Sequence, residues 1–336
     1  MSDLLTGSFV ALLTPFNQDG SLDIEGFGTL INFQAENGTS ALLIMGSTGE
    51  VSLLSKEERQ KVIRETLKFK TRKIQLWYGC TGPTTRDTIE MVQFAGREGA
   101  DGAIVTVPSY VVIPVKAAIG YFKDVADTSP IPIGIYNNPT RVGTDLGPEA
   151  IIELAEHPRV TIVKEAMARP GQIAQVLASV KDLSVMCCDS PNLGLVPSVM
   201  SLGGHGTANM SGNLAPREMA IISKPWESYE DVLNFQQAYL RLLPLIRFNY
   251  SRINPVPVKS LAGALGLPAG DLRKPYMGLT SEEVKQGISI VRGLGLDEQY
   301  GYQISSAMLA GTDSGGAGNL MEGESFAGPR GSCSTG

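Results

Sequence analysis

The chain has 336 residues, of which 43% are hydrophobic and 18% are charged, so it can bury a large core. Its formal net charge of -6 excludes the usual kind of nucleic-acid binder, which needs a basic stripe, so we expect no nucleic-acid partner. The opening residues 1–7 are too few and too polar for a signal segment, and no long unbroken apolar span follows. We therefore expect a cytoplasmic protein with no membrane partner.

Short apolar or β-branched runs alternate with amphipathic helical stretches along the first two hundred residues. Eight strands are predicted, at residues 8–14, 41–45, 74–79, 102–107, 132–136, 160–164, 183–188 and 205–209. Helices are predicted between them, for example at 55–70, where Ser55 is a capping residue, and at 85–98. Eight such units predict an α/β fold, a (β/α)8 TIM barrel spanning residues 1–213.

The remainder of the chain differs from the barrel pattern. Residues 214–298 have the pattern of helices, broken at 254–257 and 266–268, and predict a C-terminal helical appendage packed on the barrel. Residues 304–336 are rich in Gly and Ser with little apolar periodicity, which predicts a flexible tail.

Four polar or reactive features follow predicted strands. The turn 46–50 follows the second strand, Tyr110 follows the fourth, Tyr136 ends the fifth and Lys164 ends the sixth. Because active sites of such barrels lie at the C-terminal ends of the strands, we expect these residues to meet there.

Lys164 ends the apolar run 160–163. An ammonium group in that position loses hydration, which favours the neutral, nucleophilic amine of a Schiff-base lysine. The alternative is a lysine whose stem lies along apolar surface while its charged head returns to water. The segment alone leaves both interpretations open.

The turn Gly46-Ser47-Thr48-Gly49-Glu50 lacks the Lys-Ser/Thr ending of a phosphate loop, and no dinucleotide fingerprint follows a strand elsewhere. Its two glycines allow backbone N–H groups to approach a small carboxylate, although an ordinary tight turn has the same composition. The four cysteines and two histidines have neither metal-ligand nor catalytic-triad spacing, so we expect no metal.

Four motifs together resemble a known family. They are the turn 46–50, Tyr-Asn-Asn-Pro-Thr-Arg at 136–141, Val-Lys-Glu-Ala at 163–166 and Asn-Pro-Val-Pro-Val-Lys at 254–259. With the opening segment 11–16 they resemble the dihydrodipicolinate synthase/N-acetylneuraminate lyase family, in order and spacing, over residues 7–295. These are class I pyruvate-dependent aldolases on a (β/α)8 barrel.

The resemblance implies a role for each catalytic candidate. Lys164 forms an imine with pyruvate, so no other cofactor is expected. Tyr136 is the general acid/base, and its proton is relayed through Ser47 and Tyr110, since the ordinary pKa of a phenol is about 10. In such proteins the tyrosine that Tyr110 matches reaches across a subunit interface. The resemblance therefore implies a homo-oligomer built of dimers, usually a tetramer.

The resemblance also implies the substrate contacts. Thr48 and amides near Gly46 hold the pyruvate carboxylate, and the carbonyl near Ala208 faces the site. Arg141 matches the arginine with which the synthases bind the carboxylate of aspartate semialdehyde. This match favours the synthase reaction, in which pyruvate condenses with aspartate semialdehyde.

Two departures keep other substrates open. Ser47 is the residue typical of the sialic acid lyases, and segment 187–192 departs from the synthase pattern, so that Asp189 is a candidate for binding a hydroxylated keto acid. The alternatives are aldol cleavage or dehydration of 2-keto-3-deoxy sugar acids, and cleavage of 4-hydroxy-2-oxoglutarate or sialic acid. A different class is an inactive barrel that serves as a binding or scaffold protein.

A third departure concerns regulation. Five residues, Val51, Lys56, Arg59, Thr84 and Thr88, do not reproduce the pocket by which lysine inhibits some synthases. The sequence therefore predicts an enzyme that lysine does not inhibit.

Overall fold

The computed structural model describes residues 4–304. Eight parallel strands form a closed barrel in chain order, with β1 pairing to both β2 and β8. The strands are β1 (Gly7–Ala11), β2 (Ala41–Ile44), β3 (Gln75–Gly79), β4 (Gly102–Val105), β5 (Ile133–Asn137), β6 (Val160–Glu165), β7 (Ser184–Cys187) and β8 (Gly206–Asn209). The predicted (β/α)8 TIM barrel is confirmed. The predicted tail, apart from residue 304, lies outside the described residues.

The first strand is shorter than predicted. It ends at Ala11 rather than at residue 14, because the groups that follow find partners in neighbouring turns. The amide of Leu13 donates to the side chain of Asn213 at 3.1 Å, and the hydroxyl of Thr14 donates to the carbonyl of Gly49 at 2.7 Å. The end of β1 is thereby tied to the turn after β2.

Helices surround the barrel. They are α1 (Ile24–Glu36), α2 (Lys56–Thr66), α3 (Thr85–Glu98), α4 (Val115–Thr128), α5 (Pro139–Val142), α6 (Pro148–Ala155), α7 (Pro170–Ser179), α8 (Leu195–Ser201), α9 (Pro216–Ser223), α10 (Tyr229–Asn249), α11 (Val256–Ala264), α12 (Ser281–Gly293) and α13 (Leu296–Tyr300). Ser55 caps α2 as predicted, in a reciprocal capping box with Glu58. In the part of the chain that is described, no helix is long and apolar enough to cross a membrane.

The apolar side chains form two clusters, one between the strands and the helices and a separate one inside the barrel. The buried members of the inner cluster are Phe9, Ala11, Ala41, Leu43, Trp77, Ile104, Ile162, Met186 and Ala208. Side chains of a strand alternate between two faces, so Lys164, two residues after Ile162, points inward at the C-terminal end of β6. Tyr136 packs against the same cluster from β5.

The C-terminal helices pack on the barrel. Helix α9 contacts β1 and β8 and completes the eighth unit, so we propose that the appendage begins after Ser223 rather than at residue 214. Farther along, Lys259 of α11 forms an ion pair with Glu50 at 2.5 Å, and neither side chain is exposed. This pair attaches the appendage to the turn after β2.

Candidate active site

Lys164 and Tyr136 occupy paired positions on β6 and β5. The Nζ atom of Lys164 lies 4.6 Å from the centroid of the Tyr136 ring, and only 4% of the lysine is exposed. Within residues 4–304, no carboxylate lies within salt-bridge distance of this Nζ atom. The amine is therefore next to a phenol, and none of the described residues gives it a counter-ion.

Tyr136, Ser47 and Thr48 bond to two asparagines rather than to one another. The Asn138 amide donates to the Tyr136 hydroxyl at 2.6 Å. The Asn254 amide donates to Thr48 Oγ1 at 3.0 Å and, more weakly, to Ser47 Oγ at 3.4 Å. The described residues contain no hydrogen bond between Tyr136 and Ser47. Both asparagines lie in the motifs at 136–141 and 254–259, and no role was predicted for either of them.

A cavity of about 660 Å³ opens at the C-terminal ends of β2 to β5. Its lining includes Gly46, Ser47, Arg59, Thr106, Tyr136 and Arg141. Four of the predicted site residues therefore share one cavity. Lys164 and Thr48 are buried next to this lining rather than in it.

The turn after β2 has an unusual backbone. Met45 and Glu50 have positive φ angles of 59° and 53°, although neither is glycine. Gly79 of β3 lies so close that a Cβ atom there would come within 2.0 Å of the Met45 carbonyl oxygen. A non-glycine residue with a positive φ angle raises the free energy of the folded state by about 1–3 kcal/mol. Such a conformation persists only where the surrounding structure holds it.

Glu50 supplies much of that support. Its carboxylate accepts from Lys259 Nζ at 2.5 Å and from the Arg273 amide at 2.9 Å. Burial lowers the pKa of Lys259, and the Glu50 carboxylate opposes that shift. The turn that carries Ser47 and Thr48 is thus fixed by residues more than two hundred positions later in the chain.

Glu165 follows Lys164 and faces away from the barrel interior. Its Oε1 atom accepts from the amides of Ala166 and Met167, each at 2.8 Å, and its Oε2 atom accepts from Gln172 at 3.1 Å. Burial raises the pKa of Glu165 to about 7. No role for Glu165 was predicted from the sequence, although an acid at the end of a buried strand indicates a perturbed pKa.

Asp189 is engaged by protein donors. Its Oδ1 atom accepts from the amide of Met210 at 3.1 Å and from the hydroxyl of Tyr250 at 2.6 Å, and its Oδ2 atom accepts from the amide of Ser211 at 3.0 Å. Burial raises the pKa of Tyr250, so this hydroxyl stays a donor. Asp189 thus holds the turn after β8, and Ala208 lies in the barrel interior.

Tyr110 and Arg141 lie toward solvent. Tyr110 is 98% exposed with a φ angle of 78°, and it does not meet Tyr136 within one chain. The two residues after it, Val111 and Val112, are exposed as well. Arg141 lines the cavity and donates from Nη2 to the Asn254 carbonyl at 3.1 Å.

The fold and the site define a class. A parallel barrel whose strand ends hold a buried lysine beside a tyrosine has the arrangement of a class I, imine-forming lyase. The profile of the Dihydrodipicolinate synthetase family matches residues 4–292, and the chain belongs to this family. Its members are class I lyases that form a Schiff base between a lysine and pyruvate, and the chain is an enzyme of that kind.

Relatives and solved structures agree. The chain is 33% identical over 296 residues to 4-hydroxy-tetrahydrodipicolinate synthase of Syntrophotalea carbinolica, covering 87% of this chain and 99% of that one. It is 30% identical to the protein of the same name from Thermodesulfovibrio yellowstonii, with the same coverage. The crystal structure of dihydrodipicolinate synthase from Aquifex aeolicus superposes with a TM-score of 0.81 at 31% identity, covering 87% and 99% of the two chains. The predicted family and fold are both confirmed.

Proposed function

We propose that this enzyme condenses pyruvate with aspartate semialdehyde through an imine on Lys164. The observation that carries the proposal is the buried Lys164 amine 4.6 Å from the ring of Tyr136, beside the cavity. Two further points support the choice of aldehyde. The relatives described above are named 4-hydroxy-tetrahydrodipicolinate synthase, and Arg141 lines the cavity as a cation for the aldehyde's carboxylate.

In the proposed reaction the Lys164 amine attacks the ketone carbon of pyruvate, and loss of water gives the imine. Removal of a methyl proton gives an enamine, whose carbon attacks the aldehyde carbon while the aldehyde oxygen takes up a proton. The amine of the semialdehyde then attacks the imine carbon and displaces the Lys164 amine, which frees the lysine for the next cycle. Tyr136 transfers protons at each stage, and Ser47 and Tyr110 relay them. In this scheme the Tyr136 hydroxyl exchanges its bond from Asn138 for one to Ser47 when substrate is present.

The hydrogen bonds at Thr48 suit the proposed carboxylate contact. A hydroxyl has one proton to donate and two lone pairs to accept with. Asn254 occupies an acceptor site of Thr48, which leaves the Thr48 proton available for the pyruvate carboxylate. Backbone amides near Gly46 would supply further donors, and the Ala208 carbonyl would face the site from β8.

Tyr110 enters this scheme from a second copy of the chain. Its 98% exposure, with two exposed valines after it, favours a loop that is buried only by association. We therefore propose a homodimer of active sites, assembled into a tetramer. The cytoplasmic location stays a prediction.

The alternative substrates differ in their support. Asp189 was the residue that favoured a hydroxylated keto acid, and its carboxylate is occupied by protein donors. Ser47 preserves the hydroxyl that any imine-forming member needs. The synthase reaction is therefore the better supported choice, and the keto-deoxy acid reactions remain to be separated from it by assay.

Trapping with borohydride tests the imine. The protein is incubated with pyruvate, reduced and weighed by mass spectrometry, and we expect a single adduct that disappears in Lys164→Ala. The matched control is Lys116→Ala, which removes an exposed lysine and keeps the adduct. Absence of an adduct with pyruvate or any 2-keto acid would favour the inactive scaffold.

A substrate panel then tests the aldehyde. Pyruvate consumption with aspartate semialdehyde supports the synthase reaction. Release of pyruvate from a keto-deoxy sugar acid, with no turnover of aspartate semialdehyde, overturns the choice of aldehyde and leaves the imine intact.

A further inference from the structure

Thr106, the residue that follows β4, has a buried hydroxyl in the wall of the cavity. Its Oγ1 atom forms no hydrogen bond with any of the described residues. A buried polar group without a partner raises the free energy of the folded state, so such a group is normally bonded. The Thr106 hydroxyl is therefore a donor and an acceptor that residues 4–304 leave available to a ligand.

The backbone of Thr106, in contrast to its hydroxyl, is fully bonded. The Thr106 amide donates to the Thr81 hydroxyl at 2.9 Å, and the Thr106 carbonyl accepts from the hydroxyls of Thr81 and Tyr121 at 3.3 and 3.2 Å. These bonds fix the main chain at the point where the side chain begins. The hydroxyl without a partner thus belongs to a residue whose position is set by its neighbours.

Thr106 lies beside Tyr136, on the side away from Lys164. The residues just before Thr106 and Tyr136 are register partners on β4 and β5. Ile104 points into the barrel interior, and side chains alternate along a strand, so Thr106, two positions later, points inward as well. Lys164 is the register partner of Tyr136 on β6. Three consecutive strands therefore end in a hydroxyl, a phenol and an amine.

The cavity groups Thr106 with the residues proposed to bind the aldehyde. Thr106, Tyr136 and Arg141 line it, whereas Lys164 is buried next to the lining. In the proposed reaction Arg141 binds the carboxylate of the aldehyde, and Tyr136 transfers a proton to the aldehyde oxygen. An oxygen that receives its proton from Tyr136 lies close to the neighbouring residue on β4.

We propose that the Thr106 hydroxyl donates a hydrogen bond to the aldehyde oxygen while the carbon–carbon bond forms. This role rests on the proposed function. The oxygen gains negative charge as the enamine carbon attacks, until the proton from Tyr136 neutralises it, and a donor held at that point stabilises the charge. Thr106 keeps its own proton, so the balance of the reaction is unchanged. In aldol cleavage the same oxygen is the hydroxyl group of a 4-hydroxy-2-keto acid.

Thr106→Val tests this role, because valine has nearly the same shape and lacks the hydroxyl. We expect kcat/KM for aspartate semialdehyde to fall at least about tenfold. The adduct with pyruvate, trapped by borohydride, should form as in the wild type. Thr106→Ser keeps the hydroxyl and should retain most of the activity. If the valine variant does not fold, Thr106→Ser is compared with Thr106→Ala.

Stability gives a second readout that separates this role from a structural one. Removal of a buried hydroxyl without a partner should leave Tm unchanged or raise it. The matched control is Thr66→Val in α2, because the Thr66 hydroxyl donates to the Val62 carbonyl at 2.6 Å and lies 2.8 Å from the Tyr78 hydroxyl. In this control Tm should fall, and the kinetics with the aldehyde should stay at the wild-type level.

Three outcomes would overturn the role of Thr106. They are wild-type kinetics with the aldehyde in Thr106→Val, an equal loss of activity in Thr106→Ser, and loss of the pyruvate adduct in Thr106→Val. If the wild type does not turn over aspartate semialdehyde, the variants are compared in cleavage of the keto-deoxy sugar acid that it does turn over. A wild type without a pyruvate adduct would refute the proposed function and this role together. A wild-type adduct with unchanged aldehyde kinetics in Thr106→Val would refute this role alone.

Discussion

The Lys164 amine lies against the face of the Tyr136 ring, with 4.6 Å between the Nζ atom and the ring centroid, because the two residues are register partners on β6 and β5. Their positions are fixed by the barrel ladder rather than by a loop. The two groups therefore keep their spacing without a bond between them, which is the preorganisation that a proton transfer beside an imine requires.

Tyr136→Phe tests the acid/base role. The ring that contacts Lys164 remains, whereas the hydroxyl that accepts from Asn138 is lost. We expect kcat to fall by about 10²–10⁴-fold while Tm changes little, because general acid/base groups contribute that much. Pyruvate consumption measures it, and wild-type activity in this variant contradicts the role.

Lys259→Met tests the buried ion pair. It leaves the Glu50 carboxylate buried without its counter-ion, and we expect a loss of about 3–5 kcal/mol in the free energy of unfolding. The double variant with Glu50→Gln should recover much of this loss. Urea unfolding measures both. Lys123→Met, which breaks an exposed pair with Glu153, should cost much less, because solvent screens exposed pairs. Equal losses in the two single variants would contradict the argument.

The pH dependence of stability tests Glu165. Its pKa is raised to about 7 in the folded protein from 4.5, so the folded state keeps a proton that the unfolded state releases in that interval. This contribution to stability is complete below pH 4.5 and is lost as the pH rises through about 7. Glu165→Gln should remove this fall in stability between pH 4.5 and about 7, and the midpoints of urea unfolding across that interval will measure it. An unchanged fall in the variant would assign the pH dependence to another group.

Lysine should not inhibit this enzyme. Arg59 and Val51, two of the positions that do not reproduce the lysine pocket, line the cavity, and the Arg59 guanidinium repels the ammonium groups of lysine. Initial rates should stay constant as L-lysine is added at millimolar concentrations. A saturable fall in the rate at such concentrations would contradict the prediction.

Tyr110→Phe tests the proposed relay between subunits. Because the side chain is 98% exposed in the single chain, removing its hydroxyl should leave Tm unchanged. We expect kcat to fall while the KM for pyruvate is retained. Sedimentation of the wild type at several concentrations shows whether a second copy is present to receive this residue, and a monomer with full activity would remove Tyr110 from the mechanism.

Periodicity predicted the barrel because each strand is a short apolar run between clear helical stretches. The ends of two strands were misplaced. Residues 12–14 continue the strand pattern but bond to turns, and β4 ends at Val105 rather than at residue 107. The positions of Lys164, Tyr136 and Ser47 could likewise be predicted, because parallel strands end at one edge.

Partners that depend on side-chain direction could not be predicted. Asp189 follows β7 as a substrate-binding residue should, yet its carboxylate turns to the amides after β8 and to Tyr250. The Asn254 bond to Thr48 and the Lys259 bond to Glu50 join residues that only the tertiary fold brings together. Sequence spacing carries no information about such pairs.

The ion pair between Glu50 and Lys259 of α11 determines when, during synthesis of the chain, the site can be completed. Strands β1 to β8 are complete at Asn209, but Lys259 and Arg273 must also leave the ribosome before the turn after β2 gains its two partners. A nascent chain with a finished barrel therefore still lacks the two contacts that fix the turn after β2. We expect ribosome-bound chains that stop before α11 to close the barrel without catalysing, so that activity is one of the last properties the growing polypeptide acquires.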